Sequence, residues 1–202
     1  MPDKKTVRDD RPAIEPHPEG QFAAVCIDLI DLGLTVETFG KEEPKLVDKV
    51  ALVFRTEEMR EGKPLHIHQE FTCSMGKKAN LRKFLESWRG KAYTDEEVKK
   101  QGVPLDKLCG NGALITVAHK QSQAGNTYGY ISSIAMLPKQ MRDGMPTMDA
   151  YTRHEFWEKR KADYRAKAEA FQPKSGGSTG HADGHFADYP EGPEGDDDSL
   201  PF

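Results

Sequence analysis

Only three cysteines, Cys26, Cys73 and Cys109, occur in the 202 residues, far apart and without a Cys-x-x-Cys pair. That spacing argues against a disulfide scaffold and a zinc ribbon, and a reducing cytoplasm is the expected setting. No apolar run is long enough to cross a bilayer. No apolar segment follows Met1-Pro2-Asp3-Lys4-Lys5-Thr6, so no secretory signal is expected. Also missing are a GxxxxGK[ST] phosphate loop, a GxSxG elbow, an HExxH pair and the zinc-deaminase pattern. Those absences speak against the corresponding nucleotide-hydrolysing, acyl-transferring and zinc-dependent classes, and a non-enzymatic protein without a cofactor is expected. Hydrophobic residues make up 36% of the chain and charged residues 31%, so the ordered part should be smaller than the whole.

Basic residues are missing from one region. Residues 176–202 hold seven acids (Asp183, Asp188, Glu191, Glu194, Asp196, Asp197 and Asp198) and no Lys or Arg. The remaining 26 acids stand against all 29 Lys and Arg, so residues 1–175 carry about +3 inside a net charge of −4. A mildly basic body with an acidic tail suits a polyanion-binding domain that carries a separate protein-binding arm.

Taken in order, residues 1–19 are polar, with prolines at 2, 12, 16 and 18, and read as a disordered leader. The run Gln21 to Leu32 is apolar and rich in β-branched residues, a strand pattern. Gly33 and Gly40 bracket a loop or a short extension containing Phe39. Lys45 to Arg55 reads as a second strand that enters a core. After the turn Glu61-Gly62-Lys63-Pro64, residues Leu65 to Ser74 alternate as a third strand. Leu81, Phe84, Leu85 and Trp88 then fall on one helical face, with Gly90 as a stop signal. Thr94-Asp95-Glu96-Glu97 has the form of a capping box. Gly112 to His119 and Thr127 to Leu137 supply two more strands, the last ended by Pro138. Asp149 to Phe171 has helical composition but a narrow apolar face, so it should dock on the body or on a partner.

The expected fold is therefore mainly β with a helical insert. Five strands with a helix between the third and fourth suit a five-stranded OB-fold Greek-key barrel, and a small sandwich would read similarly. The expected organisation is a leader (1–19), a barrel domain (20–138), a linker and helix (139–172) and a disordered acidic tail (173–202).

Two clusters could bind metal. His66, His68 and Glu70 share one strand face and could supply three ligands, although a polar face open to solvent explains the alternation unaided. Asp28 and Asp31 could pair on a divalent cation, with a solvated strand end as the simpler reading. Single-stranded nucleic acid instead needs aromatic faces for bases and cations along the phosphates. The aromatic candidates are Phe54, Phe39, Tyr128 and Tyr130. Tyr128 and Tyr130 share one strand face around Gly129 and form the preferred platform, whereas Trp88 reads as core. The basic candidates are Lys49, Arg55, Lys77, Lys78, Arg82, Lys120 and Lys139.

The closing stretch Asp196-Asp197-Asp198-Ser199-Leu200-Pro201-Phe202 joins three carboxylates to an apolar hook. A basic rim would take Asp196, Asp197 and Asp198, and an apolar pocket would take Leu200, Pro201 and Phe202. This stretch resembles the acidic tip of bacterial-type single-stranded-DNA-binding proteins, which ends Asp-Asp-Asp-x-x-Pro-Phe. Ser199-Leu200 depart from the usual aliphatic-rich pair.

The body resembles a set of phage-encoded proteins. The matching stretches are Gly20-Gln21-Phe22-Ala23-Ala24-Val25-Cys26-Ile27-Asp28 and Leu81-Arg82-x-x-Leu85-Glu86-Ser87-Trp88-Arg89-Gly90-Lys91-x-Tyr93-Thr94, within residues 20–138. The resemblance implies an OB-fold single-stranded-DNA binder of a phage replication or recombination system, in the cytoplasm of an infected bacterial host. Its tip would recruit replication, recombination or repair enzymes. Oligomeric state is left open, a homo-oligomer included. His66-Ile67-His68 departs from the basic pattern of the corresponding strand. The rival readings are a protein–protein adaptor without nucleic-acid affinity and a metal-dependent enzyme at His66, His68 and Glu70.

Overall fold

The computed structural model describes residues 15–40, 42–122, 125–148 and 151–172. The chain is mainly β. Strands β1 (Gly20–Glu37), β2 (Lys45–Arg60) and β3 (Lys63–Thr72) form a meander, helix α1 (Asn80–Arg89) follows, and β4 (Gly112–Gln121) and β5 (Thr127–Met136) form a hairpin. Helix α2 (Phe156–Ala170) comes last. All strand pairs are antiparallel, in the order β3-β2-β1-β4-β5. The sheet curls enough for its edge strands, β3 and β5, to approach one another. No paired ladder joins them among the described residues.

The long first strand makes this topology. The first half of β1 pairs with β4, Gly20 opposite Val117, while Ala24 to Glu37 pairs with β2. Register shifts at Cys26/Asp28 and Asp31/Gly33 bend it between its two partners. At the second shift Gly33 takes a φ of +73°, and its N–H donates to Asp31 Oδ1 at 2.9 Å. Of the loop or short extension expected between Gly33 and Gly40, the structure has the extension as far as Glu37, because glycine at the bulge bends β1 without ending it. The β2–β3 turn places both Glu61 and Gly62 at positive φ (51° and 75°), as a tight hairpin requires.

Two apolar clusters lie on opposite faces of the sheet. The inner one gathers Ala24, Cys26, Leu52, Phe54, Phe71, Ile115, Val117 and Ile134 under Leu81, Leu85 and Trp88 of α1. The stripe expected for α1 faces this core, and Trp88 Nε1 donates to Gly112 O at 2.9 Å. Gly90 ends α1 in the left-handed region at φ 70°, its N–H turned back on the last carbonyls. The capping box is present: Thr94 N donates to Glu97 Oε2 and Glu97 N to Thr94 Oγ1 (2.8 and 3.1 Å). It opens a single wide helical turn, Glu97–Gln101.

The outer cluster sets Val25, Ile27, Ile30, Leu32, Ala51 and Val53 against Trp157 and Tyr164 of α2. The helix begins at Phe156, seven residues later than the composition suggested, and Tyr151 packs against the outer cluster ahead of it.

The last residues of the expected leader are built into the fold. Arg60 donates to the carbonyls of Glu15 and Pro16 (2.6 and 2.8 Å), and His17 Nε2 bonds Thr56 Oγ1 at 2.8 Å. His119 Nε2 donates to His17 O at 2.7 Å. Residues 1–14 and the expected tail, 173–202, lie outside the described residues. Cys26, Cys73 and Cys109 are all free thiols. Among the described residues no helix is long and apolar enough to cross a membrane.

Candidate nucleic-acid interface

Of the eleven cationic and aromatic candidates, Lys139 lies exposed just after β5, and the other ten divide into three groups. Three of them belong to the scaffold. Phe54 is fully buried, with its ring centroid 5.3 Å from Trp88 and 6.1 Å from Phe84, and it offers no face to a base. It lies on the inner face of β2, where a large aromatic fills the space below α1. Lys49 is buried and paired with Glu37, whose other oxygen accepts from Thr72 Oγ1 at 3.3 Å. Arg82 is buried on α1, where it donates to Glu86 Oε1 (2.9 Å), Met75 O (3.3 Å) and Tyr93 O (2.6 Å). It therefore ties the segments before and after α1 to the helix. Both cations are thus engaged within the fold.

The second group is scattered. Phe39 follows the end of β1, half-buried, at the far end of that strand from the β4–β5 turn. Lys77 and Lys78 are exposed between β3 and α1, and Lys77 sits 3.5 Å from Asp95. Arg55 lies opposite Val25 and His66 and donates to Thr147 O at 2.9 Å.

The third group is gathered on one face of the β4–β5 hairpin. Tyr128 is paired with Lys120, and Tyr130 with Ala118. A Cβ on Gly129 would meet His17 O and Val117 Cγ1 at 3.4 Å, so the side-chain position of Gly129 points inward. Tyr128 and Tyr130 therefore project outward by strand alternation. Both are half-buried, and Lys120 Nζ lies 4.4 Å from the Tyr130 ring centroid. The glycine serves the docked leader on the opposite side of the strand. Room for a base between the tyrosines comes instead from the spacing of alternate strand residues, about 6.8 Å, or two stacking distances.

The metal readings lose their ligands to α2. Glu70 accepts from Arg160 Nε at 3.0 Å and from Tyr164 OH at 2.5 Å. His68 packs edge-on to Trp157 with centroids 4.8 Å apart, and burial pushes its pKa down to about 4. His66 packs against Tyr151 at 5.4 Å, and its pKa is lowered by burial and then by Arg55. The alternating polar face of β3 is thus a seat for α2 rather than an open surface. Asp28 is held by Arg153 through both oxygens (2.7 and 2.8 Å), and Asp31 caps the Gly33 bulge, so the two do not form a pair. Among the described residues no group of three or more His, Cys, Asp or Glu is placed to hold a metal ion.

Sequence reasoning missed a groove beside α1, lined by Trp88, Arg89, Tyr93, Met136, Arg142 and Met145 among others. The signal available was the Arg89-Gly90 helix end followed by Tyr93. Arg89 is held by Glu97 at 2.6 Å and lies 4.6 Å over the Tyr93 ring. The expected partner-binding residues, Asp196, Asp197, Asp198, Leu200, Pro201 and Phe202, lie outside the described residues. No protein-family model matches the chain, and neither the curated proteins nor the solved structures contain a match to it.

Proposed function

We propose that this chain is a non-enzymatic single-stranded-DNA-binding protein of the OB type, from a phage replication or recombination system. Its outer β4–β5 face would take the strand, and its acidic tip would recruit partner enzymes. The OB reading is supported by the strand order β3-β2-β1-β4-β5, by the bent β1 shared between two partners and by α1 between β3 and β4.

The observation that carries the functional reading is the juxtaposition of Tyr128, Tyr130 and Lys120 on one sheet face. Two aromatic rings about 6.8 Å apart along a strand supply stacking surfaces that every base fits. A lysine beside them supplies charge for the phosphate between two stacked bases. Such a surface has little sequence preference, as a coating protein needs, because no base edge is read. OB barrels commonly bind oligonucleotides across strands 2 and 3, but here α2 covers the outer face of β1–β3. Among the described residues the outer β4–β5 face is the alternative that α2 does not cover.

The test is fluorescence anisotropy of labelled single strands and duplexes across a salt series. Preference for the single strand, weakening steeply as salt rises, supports the reading. Equal binding of both forms, or no binding at low salt, contradicts it.

A further inference from the structure

Gly129 is seated on a segment that precedes the first strand. Glu15-Pro16-His17-Pro18-Glu19 forms no ladder with the sheet, yet it crosses from β2 to the β4–β5 hairpin on the inner side. On the β2 side Arg60 holds the carbonyls of Glu15 and Pro16. His17 Nδ1 donates to Pro18 O at 3.0 Å, so in the neutral ring Nε2 accepts from the buried Thr56 Oγ1 at 2.8 Å. On the hairpin side His119 Nε2 donates to His17 O at 2.7 Å, and His119 N donates to Glu19 Oε1 at 2.9 Å. The His17 ring is buried edge-on to Phe22, with centroids 4.7 Å apart. Glu15 and His17 each precede a proline, which holds them extended and lowers the entropy lost when the segment docks.

The two halves of β5 have different supports. Around Ile134 the strand rests on α1, where Ser87 Oγ donates to Ile134 O at 2.6 Å. Around Gly129 its inner side meets His17: a Cβ on Gly129 would lie 3.4 Å from His17 O and 3.5 Å from His17 Cβ. β5 is an edge strand whose ladder runs to β4. Tyr128 and Tyr130 stand over the His17 contact on the outer side. Without that contact they would ride on a hairpin held at this end by one ladder. Ordering them would then count against binding a base.

We propose that residues 15–19 are a strap that preorganises the Tyr128–Tyr130 platform for single-stranded DNA, with His17 as the positioning residue. The inference rests on the reading of the outer β4–β5 face given above. His17 touches neither base nor phosphate. It acts through Gly129 and His119, fixing the hairpin against β2 so that the two rings keep their spacing before the strand arrives. The absence of a side chain at Gly129 is what lets the strap come this close.

The experiment compares the full chain with its His17→Ala, His17→Gln and Thr56→Val variants, each checked for folding by circular dichroism. It reads hydrogen exchange of the β4–β5 amides and the anisotropy of a labelled single strand across salt. In His17→Ala the ladder amides around Gly129 should exchange faster, and single-strand affinity should fall roughly tenfold. The slope of log affinity against log salt should stay at the parent value, because Lys120 keeps its phosphate. His17→Gln, with an amide in place of Nε2, should restore most of the affinity. Thr56→Val keeps the ring and removes one hydroxyl, so it should weaken binding by a smaller factor, and it carries the test where His17→Ala does not fold. A parent protein without preference for the single strand would overturn the platform reading and this inference with it. A parent that binds, beside a folded His17→Ala or Thr56→Val that binds equally well, would overturn the role of the strap alone. A lowered salt slope in His17→Ala would also overturn it, by placing the strap in contact with the DNA.

Discussion

The outer surface of the sheet has two halves that look alike in sequence and differ in fate. On β3, His66, His68 and Glu70 alternate with Leu65, Ile67, Gln69 and Phe71, and on β5, Tyr128 and Tyr130 alternate around Gly129. The β3 half is covered: Trp157, Arg160 and Tyr164 of α2 sit on His68 and Glu70, and Arg153 holds Asp28. Among the described residues α1 meets β5 from the inner side, and the outward aromatic residues of the β5 half stay half-exposed beside Lys120. Strand alternation marks which residues leave the core but not what they meet outside it. Polar residues can face water or a helix that brings matching polar groups, and the two share one pattern.

The comparison can be broken at its covered half first. Trp157 is 2% exposed and is the largest apolar anchor of α2. Trp157→Ala should cost about 3–5 kcal/mol in urea unfolding. Single-strand affinity of the folded variant should stay within about twofold of the parent if DNA is taken on the other half. A large loss of affinity in protein that remains folded would show that the covered half takes part.

Acid should act on the same half. His68 has its pKa pushed down to about 4 by burial, and burial also lowers those of His66 and His17. Below pH 6.5 the unfolded chain binds protons that these folded histidines refuse, so stability falls as pH drops from 6.5 toward about 4. His68 alone should account for about 1–3 kcal/mol, seen as a falling urea midpoint over that range. In His68→Phe the fall should be shallower.

At the open half, Tyr128→Ala or Tyr130→Ala should weaken single-strand binding by about 1–3 kcal/mol, roughly 5- to 150-fold, with little loss of stability. An effect on stability larger than that on binding would make the tyrosines part of the scaffold. The smallest effect belongs to Lys120→Ala, which should lower the steepness of log affinity against log salt by about 0.7, the share of one phosphate contact. An unchanged slope would assign Lys120 to supporting the Tyr130 ring.

Much of the fold was legible because local chemistry and packing agree. The stripe Leu81, Phe84, Leu85 and Trp88, the Gly90 stop and the Thr94–Glu97 capping box each appear where the sequence puts them. What was not legible depended on partners distant in sequence. Phe54 and Arg82 look available until α1 and its flanking segments are folded around them, and Glu70 looks exposed until Arg160 arrives from 90 residues away. Gly33 reads as a strand end, and only the register with β2 turns it into a bulge. Of the candidate site, the tyrosine pair was visible as alternation. That Lys120 stands beside it followed only from the β4–β5 register, since the pairing is set by the hairpin.

The most direct measurement is the affinity of the Tyr128→Ala/Tyr130→Ala double variant for a labelled single strand at low salt, beside the parent protein. The account predicts that the parent binds and that the double variant, folded with an unchanged urea midpoint, loses roughly 100-fold or more in affinity. A double variant that binds as tightly as the parent would contradict it and move the strand to another surface.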